Sequence, residues 1–247
     1  MVQAPQRTAF SGPTLIRLLA RLTDIDVPGS GQSLSDRLSQ WLGWTDAIAL
    51  STALNGNPPA AASGARAKSH AEENECARVR TSLANAIAGD SAFAAAKRRG
   101  SAQAPLQDAL VDAAVDYAVF RHRYVSMQQA METGIGNLRG RLRGMLATRT
   151  PGMARLAAVD AVMERALSAR EQSLLGAVPG LLGGHFERLR QAGLETPADA
   201  QASGYAATVT PNAWLDVFRK DMQSVLLAEL EVRFQPVEGL LAALRTS

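Results

Sequence analysis

A run of apolar residues between positions 106 and 138 repeats with alternating steps of four and three. The positions are Leu106, Leu110, Ala113, Tyr117, Phe120, Tyr124, Met127 and Met131, and Leu138 follows one heptad later. This spacing places the side chains on one side of an α-helix, and its persistence over more than three heptads predicts a helix that packs against others. A helix over residues 106–145 would be about 60 Å long.

Helix signals continue through the rest of the chain. A Pro-Gly break at Pro151 starts a second long helix, with an apolar stripe from Leu156 to Leu174. Two long helices joined in this way predict an antiparallel pair. The last helix is expected to stop at Pro236, with a short tail helix after it. With 45 alanines and only 5% aromatic residues, the chain favours helices over sheets. We predict an all-α fold of long antiparallel helices forming a bundle or coiled-coil-like hairpin.

The N-terminal region predicts a smaller unit. One helix begins near Pro13, and a second begins at Ser33. The buried face of the second is expected to consist of Leu34, Leu38, Trp41, Thr45 and Ile48. We therefore predict three parts: an N-terminal helical hairpin over 1–54, a flexible linker over 55–70 that lacks apolar periodicity, and an elongated helical bundle over 71–247.

Arginine dominates the basic residues of the chain and is concentrated in one segment. Of 26 basic residues 23 are Arg, and the segment 121–149 holds several of them on more than one helix side. The candidate site residues are Arg121, Arg123, Arg139, Arg141 and Arg143. One interpretation is a site for a polyanion or an acidic partner. The other interpretation, which we favour, is that these arginines form ion pairs with acidic helices after residue 160. The net charge of −2 over residues 151–247 supports it.

Two features of the same segment predict a helix interface. Gly136, Gly140 and Gly144 recur every four residues, which places them on one helix face where another backbone could approach closely. The second feature is the aromatic and methionine part of the heptad seam, formed by Tyr117, Phe120, Tyr124 and Met127. A 60 Å helix would extend beyond the shorter N-terminal helices, so part of this seam is expected to face a partner helix or a second copy.

No constellation in the sequence indicates catalysis. The glycine cluster around Gly136 lacks the spacing and the preceding strand of a dinucleotide site. His122 lies between two arginines, and none of the three histidines has a second ligand at helical spacing. Cys76 lies among glutamates that disfavour a thiolate. We therefore expect a protein that is not an enzyme, with no cofactor and no metal.

The start of the chain has no apolar segment of the kind found in signal peptides, and no run of about twenty apolar residues is present. The sequence therefore predicts a cytoplasmic protein without a transmembrane segment.

Four segments carry a resemblance to a known family. They are RTAFSGPTLIRLLARLTD, LSDRLSQWLGWTDAIALSTAL, FRHRYVSMQQAMETGIGNLRGRLR and VMERALSAREQSLLGAVPGLLGGHFERLR. The chain resembles an uncharacterised proteobacterial family, an all-helical domain of unknown function. The resemblance covers most of the chain outside the linker and brings no catalytic motif. It implies genes near OmpA-like and motor-type membrane proteins, and hence an accessory to an envelope assembly.

These observations predict a non-enzymatic interaction or scaffold protein that binds a protein partner or itself, with an indirect association with a membrane complex. The alternative is a protein that binds nucleic acid or an anionic surface through the arginine-rich helix 121–149.

Overall fold

The computed structural model describes residues 13–24, 31–56, 69–93, 116–195 and 213–246. Within these ranges every regular element is an α-helix, which confirms the all-α prediction. The helices are α1 (Thr14–Thr23), α2 (Leu34–Trp41), α3 (Trp44–Asn55), α4 (Ser69–Ala88), α5 (Tyr117–Ala147), α6 (Pro151–Gly176), α7 (Val178–Glu195) and α8 (Ala213–Arg245).

The last helix, α8, lies at the centre of the bundle. Helices α1, α4, α5 and α7 all pack against it. Its inward stripe includes Leu215, Phe218, Met222 and Val225, which are completely buried as their spacing predicts. Because α8 supplies the largest share of the buried apolar side chains, its packing dominates the hydrophobic stabilisation of the fold.

Helix α8 continues through Pro236, where the sequence predicted a stop. A proline inside a helix removes one backbone hydrogen bond and costs about 3 kcal/mol. In α8 the buried stripe continues past it with Val237, Leu240 and Leu244. Burying three large aliphatic side chains contributes about 1.5–3 kcal/mol each, which outweighs the proline cost and keeps the helix intact.

Helices α5 and α6 form the predicted antiparallel pair. The turn between them ends at Thr150, whose side chain accepts a hydrogen bond from the Met153 N–H at 3.3 Å, and Pro151 occupies the first turn of α6. Near the far end of the pair, the Gln172 side-chain amide donates to Glu132 at 2.9 Å. The pair therefore stays in register along its length, held by contacts between side chains that are distant in sequence.

A buried side chain replaces a missing backbone donor where α6 meets α7. Pro179 has no N–H with which to bond the carbonyl of Leu175, four residues earlier. The Gln128 Nε2 of α5 donates to that carbonyl at 3.0 Å instead. The Tyr117 hydroxyl donates to the Pro179 carbonyl on the other side of the junction. Helix α5 therefore holds both sides of the α6–α7 junction.

The N-terminal region differs from its prediction in two respects. The expected single helix from Ser33 is two helices: α2 ends at Trp41, and α3 begins after Gly43, whose N–H donates to Asp46 Oδ2 at 3.2 Å. In addition, α1 packs on α7 and α8, whereas α3 packs on α6. The two halves of the predicted hairpin therefore lie on different helices of the bundle.

Several predictions fall outside the described residues. They concern residues 57–68 of the predicted linker, and the seam positions Leu106, Leu110 and Ala113. The division into 1–54, 55–70 and 71–247 therefore stays a prediction.

Candidate interaction surface

Two of the candidate arginines lie in a partly buried cluster between α5 and α6. Arg139 binds Asp160 through two hydrogen bonds, from Nε at 2.9 Å and from NH2 at 2.7 Å. Arg143 donates to Asp160 at 3.2 Å and also to Glu164. Although burial opposes its charge, these carboxylates raise the pKa of Arg143. The arrangement matches the favoured interpretation, in which acidic residues after position 160 pair with the basic helix.

Two more of the arginines pair with carboxylates from other parts of the chain. Arg141 binds Glu72 at 3.3 Å and Glu75 at 3.1 Å, both on α4. The hydrogen bond from Arg141 is the main influence on Glu75, whose pKa is lowered. Arg123 binds the buried carboxylate of Asp90 at 2.7 Å. These pairs hold the segment after α4, and α4 itself, against α5.

Arg121 is the one candidate that makes no ion pair among the described residues, and it is exposed. A phosphate group approaching the other four would have to compete with carboxylates that are already bound. The charge of this helix is therefore largely compensated within the chain.

The aromatic part of the heptad seam faces the interior of the same chain. Phe120 and Tyr124 are buried, and Phe120 contacts the rings of Phe186 and Phe218 with centroid distances of 6.0 and 5.2 Å. Tyr117 and Met127 are partly buried against the same core. The expectation that this stretch faces a second molecule is therefore corrected for Phe120, which α7 and α8 cover, and for Tyr124, which is buried and bonded to Glu229 of α8.

The glycines of α5 do not mark a close helix crossing in this chain. A Cβ added at Gly136 or Gly144 would meet no heavy atom within 4 Å, and one at Gly140 would meet only the Arg143 guanidinium at 3.9 Å. The expected close approach of another helix is therefore not made by the described part of the chain. The charged cluster does not require Gly140 either, since a Cβ there would lie at an ordinary contact distance from the Arg143 guanidinium.

A buried polar network, which the sequence did not reveal, joins α5, α6 and α8. The side chain of Glu229 is completely buried and accepts hydrogen bonds from the Tyr124 hydroxyl at 2.7 Å, from Gln128 Nε2 at 3.0 Å and from Arg233 Nε at 2.8 Å. Arg233 also reaches Glu171 of α6 at 3.2 Å. Burial, reinforced by the charge of Glu229, raises the pKa of Tyr124 well above its usual value. The network therefore ties the three helices together through side chains inside the bundle.

A groove with a volume of about 420 Å³ lies between α4 and α8. Its floor includes Phe234, Val237 and Leu241, which are already buried. Ion pairs lie at its edges, including Arg80 with Glu238 at 2.6 Å. The carboxylates that pair with Arg80 raise its pKa. The charged side chains at the edges of the groove are therefore already paired within the chain.

The described surface exposes its largest apolar side chain on α3. Trp44 is 81% exposed, and Ile48 and Leu54 on the same helix are 50% and 51% exposed. No residue of α3 is buried, so the helix is attached to α6 only by half-buried side chains. The prediction that Thr45 and Ile48 belong to a buried face is therefore wrong.

One feature of the sequence could have indicated this exposed surface, namely the near absence of ionisable residues in α3. Apart from Asp46, which caps the helix, α3 contains no ionisable residue, so it lacks the charged face that a surface helix normally presents to water. Trp41, in α2, is covered by the Arg170 guanidinium at 4.7 Å from its ring centroid. This cation–π contact attaches the end of α2, three residues before Trp44, to α6.

Within the described ranges, no group of three or more His, Cys, Asp or Glu side chains is arranged to hold a metal ion. None of the helices described is long and apolar enough to cross a membrane. Burial is the main cause of the raised pKa of the Cys76 thiol, and it leaves this side chain inside the core.

A family model of proteins of unknown function (DUF3348) matches residues 1–246, almost the entire chain. The protein belongs to the DUF3348 family. This agrees with the resemblance to an uncharacterised all-helical domain. Comparison of this DUF3348 member with curated proteins and with solved structures gave no match.

Proposed function

We propose that this protein acts by binding another protein chain, as a non-enzymatic interaction or scaffold protein, and that the outward face of α3 is its contact surface. The observation that carries the proposal is the exposure of Trp44, together with Ile48 and Leu54, on a helix that contains no buried residue. Exposed apolar side chains grouped on one element are typical of an interaction surface. Tryptophan is also enriched among the residues that dominate binding energies.

The position of the surface supports this assignment. Because α3 packs on α6, and α6 is held to α5 by the charged cluster, the patch is presented on a helix with a fixed support. Interfaces built on such elements are held more precisely than those on loops. A cytoplasmic role as an accessory to an envelope or motor-type assembly, which the resemblance implies for a proteobacterial protein, is part of this proposal.

The intramolecular ion pairs argue against the alternative of a nucleic-acid or anionic-surface binding protein. Arg123, Arg139, Arg141 and Arg143 are bound to carboxylates. Binding to phosphates would have to replace these pairs, so it would gain little from counterion release.

Site-specific photo-crosslinking in the native host tests the proposal. A photoreactive phenylalanine analogue replaces Trp44 in one variant and Val119 in the control variant, since Val119 is 57% exposed on α5, away from α3. We expect a defined crosslinked species of higher mass from position 44 and none from position 119. The same pattern at both positions, or no crosslink at position 44, would contradict the assignment of the surface.

A further inference from the structure

Helices α2 and α3 are joined to the bundle by few buried side chains. No side chain that the structure describes between positions 31 and 56 is buried. By contrast α1, the other short helix of the N-terminal region, buries Leu15, Ala20 and Leu22. In the described ranges α3 packs on α6, and neither α2 nor α3 packs extensively on a further helix. Burial of apolar surface therefore holds α1 firmly in the bundle and contributes much less to holding α2 and α3.

The polar contacts of α2 and α3 are local. Within the described chain, each side-chain hydrogen bond of residues 34–55 spans three or four positions. Examples are the bond from the Gly43 N–H to Asp46 and the bond from the Thr52 hydroxyl to the Ile48 carbonyl at 2.9 Å. No ion pair among the described residues links 34–55 to another helix, whereas α5 is joined by ion pairs to both α4 and α6. Side-chain hydrogen bonds and ion pairs therefore add nothing to the attachment of these two helices.

A cation–π contact is the specific link between α2 and α6. The Arg170 guanidinium lies 4.7 Å from the centroid of the half-buried Trp41 ring. Loss of such a contact changes an equilibrium constant by about two- to thirtyfold. The contact therefore biases the position of α2 without fixing it permanently.

The chain on both sides of α2 and α3 is anchored independently of them. Helix α1 precedes them and helix α4 follows them, and both pack on α8. Because these anchors do not depend on the contact between α3 and α6, α2 and α3 can leave α6 while α1, α4 and α8 stay packed. Regions with few buried apolar contacts open in this way at a lower free energy than the core of the same protein.

We propose that α2 and α3 form an arm, residues 31–56, which detaches from α6 as a unit while the rest of the bundle stays folded, and that the contact of Arg170 with Trp41 holds it in the docked position. The proposal goes beyond the proposed function, because it concerns how α3 is held, whatever binds it. Release exposes the inner side of α3, which includes the half-buried Ala49, Leu50 and Ala53. The arm therefore offers a partner different apolar surfaces in its docked and released positions.

Native-state hydrogen exchange of the full chain, measured by mass spectrometry, tests the detachment. Relative to their intrinsic rates, we expect the amides of α3 to exchange at least about a hundredfold faster than the central amides of α8. Arg170→Ala should accelerate the exchange of α3 by about two- to thirtyfold and leave α8 unchanged. Since Arg170 contacts α2, faster exchange in α3 requires that the two helices move together.

Arg165→Ala is the matched control for the loss of an arginine from α6. Arg165 is exposed and makes no ion pair or ring contact among the described residues, so its replacement should change the exchange of neither α3 nor α8. Arg170→Ala that leaves the exchange of α3 unchanged, or that accelerates α2 alone, would overturn the proposal. So would α3 amides that are as protected as those of α8.

Glu229→Gln supplies the opposite comparison. It removes a charge that is completely buried between α5 and α8, and should accelerate the exchange of the central amides of α8 at least about tenfold. The exchange of α3 should stay unchanged, because the arm opens without the bundle. Equal acceleration of α3 and α8 would show that α3 opens only when the bundle unfolds, and would overturn the proposal.

The exchange experiment involves no partner, so it fails separately from the proposed function. An α3 that opens only with the bundle, but crosslinks through position 44 to another protein, overturns the detachment and keeps the proposed function. An arm that detaches, but gives no crosslink through position 44, supports the detachment and overturns the proposed function.

Discussion

The buried carboxylate of Glu229 should be strongly coupled to Arg233. The two side chains lie one helical turn apart on α8 and are 0% and 9% exposed. Removing one member of a buried ion pair typically costs about 3–5 kcal/mol, because the other is left as an uncompensated buried charge. Glu171 remains as a second partner of Arg233, so we place Glu229→Gln at the lower end, at about 3 kcal/mol. Arg233→Met leaves Glu229 with neutral donors only, and should cost about 4 kcal/mol.

The double variant separates the charge effect from the loss of packing. With both charges removed, neither is left uncompensated, and replacement of a buried pair by neutral side chains is often close to neutral. We expect its loss of stability to fall at least about 2 kcal/mol below the sum of the single losses. Glu231→Gln, on the same helix but in an exposed pair with Arg80, is the matched control and should cost about 1 kcal/mol or less.

Urea unfolding followed by circular dichroism gives the free energies of unfolding of the unmodified protein, the two single variants, the double variant and the control. The reasoning would be refuted if the two single losses added within about 0.5 kcal/mol, since non-interacting sites behave in that way. A loss below about 1 kcal/mol for Glu229→Gln would equally contradict the assignment of Glu229 as a buried, charged acceptor.

Three further predictions follow from local geometry. Gly193→Ala should destabilise the protein by about 1–3 kcal/mol in urea unfolding, because the new Cβ would lie 2.6 Å from the indole ring of Trp214. Gly136→Ala should stabilise it by up to about 1 kcal/mol, because its Cβ meets no atom within 4 Å and alanine favours the helix. Burial raises the folded-state pKa of Tyr124, so the unfolded state loses the phenol proton first as the pH passes about 10, and stability falls. Tyr117 and Cys76, whose pKa values are also raised, contribute to the same fall, so Tyr124→Phe should reduce the slope measured by denaturation at pH 9–11 by about 1.4 kcal/mol per pH unit without abolishing it. Arg139→Gln should lower the melting temperature more than Arg141→Gln, because the two side chains are 13% and 53% exposed; equal shifts would contradict this.

Periodicity predicted the parts of the fold that depend on large apolar side chains. The inward stripe of α8 and the antiparallel arrangement of α5 and α6 agree with the structure for that reason. The prediction that the helix ends at Pro236 was wrong. It used the rule that proline breaks a helix, but the burial of apolar side chains before and after Pro236 outweighs the cost of the proline. The predicted stripe of α6 was inaccurate in a different way: Leu156 and Leu174 are exposed, while α6 turns the small side chains of Ala154 and Ala157 inward.

Polar residues were harder to place, since a buried glutamate looks like a surface glutamate in sequence. Nothing near Glu229 indicates that Tyr124 and Gln128, about a hundred positions earlier, converge on its carboxylate. Arg139 was expected to pair with acidic residues after position 160; its partners are Asp160, at that boundary, and Glu164, within that region. The partners of Arg141 come from α4, which is earlier in the chain, and only the tertiary packing of α4 against α5 brings them together.

The contrast between α5 and α3 shows where to look for function in a helical protein of this kind. The glycines of α5 attract attention because each glycine inside a helix costs up to about 1 kcal/mol. Among the described residues no close contact requires Gly136, Gly140 or Gly144, whereas Arg139 and Arg143 hold α6 against α5. Helix α3 attracts less attention in the sequence, although seven of its twelve residues are apolar. The proposed function therefore rests on α3, a surface helix that has no charged face and exposes Trp44, Ile48 and Leu54.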